Sequence, residues 1–160
     1  MQENLQKYSS AGTSLNQIPK VAKMLELGNE TVLLDWGCGR YEKFKKYVEG
    51  KGAKYFGYDP YHKSMDENAE ALKSKPDLIV CANVLNVIAE DWIVENIIQK
   101  IAEYNCIAYI QIYEGNKSGV GAETSKGYQR HTKASEYMPM LQKHFSSIEK
   151  KGNIFICENF

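Results

Sequence analysis

Polar residues recur in this 160-residue chain where apolar runs end. Asp35 closes Val32-Leu33-Leu34, Asp59 closes Lys54–Tyr58, Asn83 follows Leu78–Ala82, and Glu114 follows a run ending at Tyr113. Asp35 is followed at once by Gly37 and Gly39, with Cys38 between them, and an amphipathic stretch begins at Tyr41. Glycines let a backbone come close to a ligand. A helix that starts just beyond them points free N–H groups and a partial positive charge at the same place. The chemistry these types can do together is the holding of a small polar molecule at a strand-to-helix turn.

The turn does not complete the G-x-G-x-x-G fingerprint of a dinucleotide site. Glu42 occupies the third glycine's position, and its charge opposes a pyrophosphate. No P-loop pattern occurs either. Asp59 lies 20 residues after Gly39, at the end of the next strand-like run, where a carboxylate can accept from both hydroxyls of a ribose.

The elements that must position these residues follow from the pattern. Asn16 as N-cap with Pro19 in the first turn predicts a helix ending near Gly28, with Ile18, Val21, Ala22 and Leu25 on its apolar face. Strands are expected at Thr31–Asp35, Lys54–Tyr58, Leu78–Cys81 and Cys106–Tyr113. Helices are expected at Tyr41–Glu49 and Asp91–Tyr104, the latter with Ile93, Ile97, Ile101 and Tyr104 at helical spacing. Residues 62–75 are polar with only a weak helical pattern. Residues 114–131 form a long Gly-rich, polar loop, of a length usually tied to function or disorder. Thr132–His144 holds a helix with Ser135 as N-cap and Pro139 in its first turn. A hairpin around Lys151-Gly152-Asn153 closes the chain. Alternating strands and helices imply a parallel sheet covered on both faces. Ligands of such sheets sit outside the carboxyl ends of the strands, so Asp35, Asp59, Asn83 and Glu114 should meet along one edge.

Asp35-Trp36-Gly37-Cys38-Gly39 with a later strand-end acid resembles the cofactor motif of class I S-adenosylmethionine (SAM)-dependent methyltransferases. Pro76–Ile88 resembles that family's fourth-strand motif. Four segments are similar to small phage-type methyltransferase-like proteins and to relatives associated with DNA phosphorothioation. They are Gly12–Pro19, Gly57–Pro60, Asn83–Ile88, and Tyr113–Gly115 with Gly127–Gln129. The resemblance implies a Rossmann-like α/β sheet with helices on both faces and a closing antiparallel hairpin, SAM as cofactor, and methyl transfer to an unidentified acceptor. It implies cofactor binding by Asp35, Gly37, Cys38, Gly39, Asp59, Pro60 and Asn83. The methionine carboxylate would meet the turn, its ammonium Asp35 (which could instead brace the glycine turn), the ribose Asp59, and the adenine the flat surface of Pro60 and Tyr61. Only residues 61–75 separate the second strand from Pro76-Asp77, too few for the family's third strand and its flanking helices. The sheet should therefore be shortened, in the order 2-1-4-5-7-6 by family strand number.

Candidates around the reacting methyl are Asn83, Asn86, Tyr113, Glu114, Tyr128 and Gln129, with Glu114 as a base and Tyr128 and Gln129 orienting the acceptor. For Asn83 a turn or capping role competes with ligand contact. Lys117, Lys126, Arg130 and Lys133 read either as solvated charge or as a substrate grip on the long loop. His62, His131 and His144 are isolated and read as structural. The tetrads of amino-methylating DNA enzymes and the Pro-Cys of cytosine-C5 enzymes are absent, so a nucleic-acid acceptor would need a partner. A non-catalytic SAM-binding sensor, or a subunit of a nucleic-acid modification complex, uses the same cofactor residues.

Bulk properties fit one domain over residues 1–160, with residues 1–13 mobile. Lys plus Arg and Asp plus Glu are 20 each, so no global field draws the chain to nucleic acid or membrane. Cys38, Cys81, Cys106 and Cys157 are widely spaced, which disfavours a zinc site and fits a reducing cytoplasm. No apolar run reaches the length of a membrane span.

Overall fold

A computed structural model describes residues 16–125 and 127–159. The elements run from a 3-10 helix at Lys20–Met24 through β1 (Val32–Trp36), α1 (Lys43–Gly50), β2 (Lys54–Tyr58), α2 (Met65–Lys73), β3 (Leu78–Ala82) and α3 (Asp91–Ala102) to β4 (Ile107–Gln111). Then come the short strands β5 (Ala122–Thr124) and β6 (Gly127–Gln129), a 3-10 turn at Ala134–Tyr137, α4 (Met138–Gln142), β7 (Ser147–Lys151) and β8 (Ile154–Glu158). The main sheet has the order β2-β1-β3-β4-β8-β7, the shortened order expected from the sequence. β1 to β4 are mutually parallel, and β8 runs antiparallel to β4. Between β2 and β3 lies only α2, with no third strand.

The central strands β1, β3 and β4 and the neighbouring β8 are mostly apolar because both faces of the sheet are covered there, whereas the edge strand β7 is polar and largely exposed. Alternate residues serve opposite cores. Leu34, Ile79, Cys81, Ile110 and Phe155 face one side, against Ile93, Val94, Ile98 and Ile101 of α3 and Leu141 of α4. Leu33, Leu78, Val80, Tyr109 and Ile154 face the other, against Phe44 and Val48 of α1 and Val21 and Ala22 of the 3-10 helix. No helix among the described residues is long and apolar enough to cross a membrane.

Several local expectations change. The helix expected over 16–28 is a single 3-10 helix, flanked by extended Pro19 (ψ 148°) and Leu25 (ψ 135°). Only Val21 and Ala22 are buried there and Ile18 is 43% exposed, so the apolar face is too short to hold a longer helix. Residues 62–75 contain a well-formed helix. Ser64 Oγ accepts from Glu67 N–H (3.1 Å), and Glu67 reaches back to Ser64 as a capping box. The loop 114–131 carries its own hairpin, β5–β6, with Glu123 opposite Tyr128. Ser135 lies inside a 3-10 turn instead of capping a helix, while Pro139 sits in the first turn of the short α4. The N-terminal stretch 1–13, the motif segment 12–15 and the cation Lys126 lie outside the described residues.

Candidate functional site

The carboxyl ends of β1, β3 and β4 open onto a cleft of about 790 Å³. Asp35, Gly37, Cys38, Gly39, Asn83 and Gln129 line it; Asp59, Pro60, Glu114 and Tyr128 do not.

One wall is the glycine turn. Gly37 has φ +80°, and a Cβ there would lie 2.5 Å from Val84 Cγ2, so only glycine fits without a shift of Val84. The turn is bonded to the end of β2. Gly37 N–H and Cys38 N–H both donate to Tyr58 O (2.7 and 3.1 Å). Gly39 N–H donates to Asp59 Oδ2 (2.9 Å), while Asp59 Oδ1 accepts from Tyr61 N–H (2.9 Å) and His62 N–H (3.2 Å). The main chain of Asp59 is gripped by Asn68 of α2, which accepts from Asp59 N–H (2.9 Å) and donates to Asp59 O (3.1 Å). Asp59 therefore spends its carboxylate on backbone N–H groups and ties the turn, β2 and α2 together.

Asp35 forms the acidic floor. It is buried, and Tyr55 O–H donates to its Oδ2 at 2.5 Å. Burial lifts its carboxyl to about 7, although the Tyr55 hydrogen bond pulls the other way. Cys38 packs against Gly57, where a Cβ would stand 2.8 Å from the sulfur. Burial, aided by the charges of Asp35 and Asp59, pushes the Cys38 thiol up to about 12.

The opposite wall is built from carboxamides. Gln111 Oε1 accepts from Val21 N–H (2.9 Å), and Gln111 Nε2 donates to Asn83 Oδ1 (3.2 Å). Asn86 Oδ1 accepts from Tyr113 N–H (3.2 Å), and Asn86 Nδ2 donates to Gln129 Oε1 (3.2 Å). Asn83 itself has φ +61°, a left-handed conformation that asparagine tolerates better than most residues.

The long segment after β4 is held by its own contacts. Glu114 Oε2 accepts from Ala134 N–H (2.9 Å) and so caps the 3-10 turn, away from the cleft. Tyr128 packs against the core. Arg130 clamps the hairpin to the segment before α3, donating to Ile88 O (2.5 Å), Ala89 O (3.2 Å) and Asp91 Oδ1 (2.6 Å). His131 lines the cleft, and its Nδ1 accepts from Asn116 N–H (3.1 Å). The sequence reading missed Tyr55 and Gln111, which reach the site from within β2 and from the last residue of β4. A glutamine at the end of an apolar strand and a tyrosine ahead of a strand-end acid were the available signals. It also missed Lys20, Lys23, Arg40 and Lys43, which all line the cleft.

No family model and no curated protein matches the chain. Solved structures do match. One is a candidate methyltransferase in complex with the Trm112 methyltransferase activator of Haloferax volcanii. It is similar with a TM-score of 0.52 at 13% identity, over 92% of this chain and 74% of that one. At that identity the likeness establishes the fold alone. The chain has the Rossmann-like α/β fold of a methyltransferase, in a shortened version.

Proposed function

We propose that the chain binds SAM in the cleft and transfers its methyl group to an acceptor. The observation that carries this is the cleft at the carboxyl ends of β1, β3 and β4, walled by the glycine turn and floored by buried Asp35, in a chain of this fold. Asp35 is the anion that would take the ammonium of the methionine moiety. Arg40 and Lys43, at the mouth of the turn, supply positive charge for its carboxylate. The N–H groups of Gly37, Cys38 and Gly39 are already taken, so the glycines serve to let the ligand approach rather than to donate. Asp59 sets the turn, and would reach a ribose only by giving up one of its N–H partners. Alignment in a dry pocket is most of what methyl transfer asks of an enzyme.

A second reading, a SAM-binding subunit without catalysis of its own, is favoured by one observation. Glu114 and Tyr128, the candidate base and orienting residue, are committed elsewhere. The solved neighbour is itself in complex with an activator, so a partner that completes the site fits this reading too. Methyl incorporation into a supplied substrate separates the two.

Thermal shift with SAM, S-adenosylhomocysteine and NAD tests cofactor choice. A ligand at about 100 times its Kd should stabilise by about 2.7 kcal/mol. A shift with NAD and none with either sulfur compound overturns the proposal. Because apo Asp35 keeps its proton up to about pH 7, an arriving ammonium must first displace it. The SAM response should therefore grow between pH 6 and 8, and Asp35→Asn should abolish that dependence.

A further inference from the structure

Two relays of hydrogen bonds reach the cleft, and each starts at a backbone N–H whose donor sense is fixed. Val21 N–H donates to Gln111 Oε1, which leaves Gln111 Nε2 to donate to Asn83 Oδ1. Tyr113 N–H donates to Asn86 Oδ1, which leaves Asn86 Nδ2 to donate to Gln129 Oε1. A carboxamide has one accepting end and one donating end, so orienting the first amide of a relay orients the second. Both relays therefore finish in an NH₂ group on the cleft wall: Asn83 Nδ2 and Gln129 Nε2. Neither NH₂ meets an acceptor among the described residues. The same cleft is lined by the exposed cations Lys20, Lys23, Arg40 and Lys43, none of which pairs with a carboxylate among the described residues. Among the described residues its single lining carboxylate is buried Asp35. In a chain of zero net charge this is a local concentration of donors and positive charge.

We infer that the methyl acceptor is anchored through an oxyanion, a carboxylate or phosphate, held by the NH₂ groups of Asn83 and Gln129 under the charge of Lys20 and Lys23. The inference rests on the methyl-transfer reading and names the substrate class. An amine acceptor is the poorer fit. Its N–H groups would find donors in place of acceptors on this wall, and an ammonium would meet like charge. The amides are specificity-determining because the relays prevent them from flipping to offer oxygen.

The test is amide-resolved NMR of the protein saturated with S-adenosylhomocysteine, which fills the cofactor's own carboxylate subsite. Inorganic phosphate, succinate and methylammonium are titrated separately at matched ionic strength. The side-chain NH₂ resonances of Asn83 and Gln129 should shift saturably with phosphate or succinate and stay still with methylammonium. The stronger of the two anions identifies the acceptor's group. Asn83→Asp and Gln129→Glu keep the oxygen that Gln111 or Asn86 donates to and replace only the open donor. Each should weaken the anion about tenfold or more. Absence of a saturable shift, equal response to methylammonium, or indifference to both substitutions overturns the inference. So does a shift that appears only without S-adenosylhomocysteine, since the donors would then serve the cofactor, and the methyl-transfer reading would stand. Failure to bind S-adenosylhomocysteine is read separately by thermal shift, and overturns both.

Discussion

The two walls of the cleft use polar groups in opposite ways. On the β1–β2 side, the N–H groups of the glycine turn close onto Tyr58 and Asp59, and Asp59 closes onto its own loop. Trp36 and Tyr58, with ring centroids 4.6 Å apart, brace the same strand ends from the other face. On the β3–β4 side, the bonds run from the backbone outward and stop at open NH₂ groups. A wall whose polar groups satisfy one another is scaffold. A wall whose relays end unsatisfied is poised for a ligand. The motif that is easiest to recognise in the sequence thus belongs mostly to the scaffold.

Substitutions should separate the walls by their cost in stability. Asp59→Ala strands three N–H groups at the turn, and is expected to cost about 3 kcal/mol, seen as a Tm lower by about 6–12 °C. Gly37→Ala forces an L-residue to φ +80° and a methyl onto Val84, for about 2 kcal/mol by chemical denaturation. The buried acid of the floor shows itself in pH. Its folded pKa of about 7 lies above the unfolded value, so the native state holds a proton that the unfolded chain has lost. Asp35's contribution to stability should fall as pH rises from about 4 to 7 and level off above, and the stability difference between wild type and Asp35→Asn should trace that fall. On the amide wall, Asn83→Asp and Gln129→Glu keep every bond they now accept, and should cost less than about 1 kcal/mol. If they cost as much as Asp59→Ala, the amides are scaffold as well and the contrast fails.

The sheet was legible because its signals are local and repeated. Each central strand is a short apolar run closed by a polar residue, and the short span between Tyr58 and Pro76 announces the lost strand. The helix over 65–73 was not read: Ser64-x-x-Glu67 is a start signal, but the scarcity of apolar residues hid the helix, since only Ala71 is buried. The site was legible in its membership more than in its directions. Asp59 stands where a ribose-binding acid belongs, yet the turn Asp59–His62 aims its oxygens at Gly39, Tyr61 and His62. That aim depends on how α2 grips the strand end through Asn68, nine residues away. The amide relays join residues 27 to 90 positions apart, so no spacing rule reveals them. Glu114 was placed by its strand end, but its partner is Ala134, fixed by the path of the intervening hairpin.

The packing of Cys38 against Gly57 has a practical consequence. All four cysteines are free, and burial raises their thiols, Cys38 to about 12, Cys106 to about 11 and Cys157 to about 12. Only the thiolate reacts with an alkylating reagent. Cys38 sits inside the glycine turn, half-buried at the cleft wall with its backbone bonded to Tyr58, so lifting of that turn away from β2 should raise its reactivity. Its rate of alkylation is therefore a built-in stopwatch for opening of the scaffold wall, readable by mass spectrometry without attaching a label.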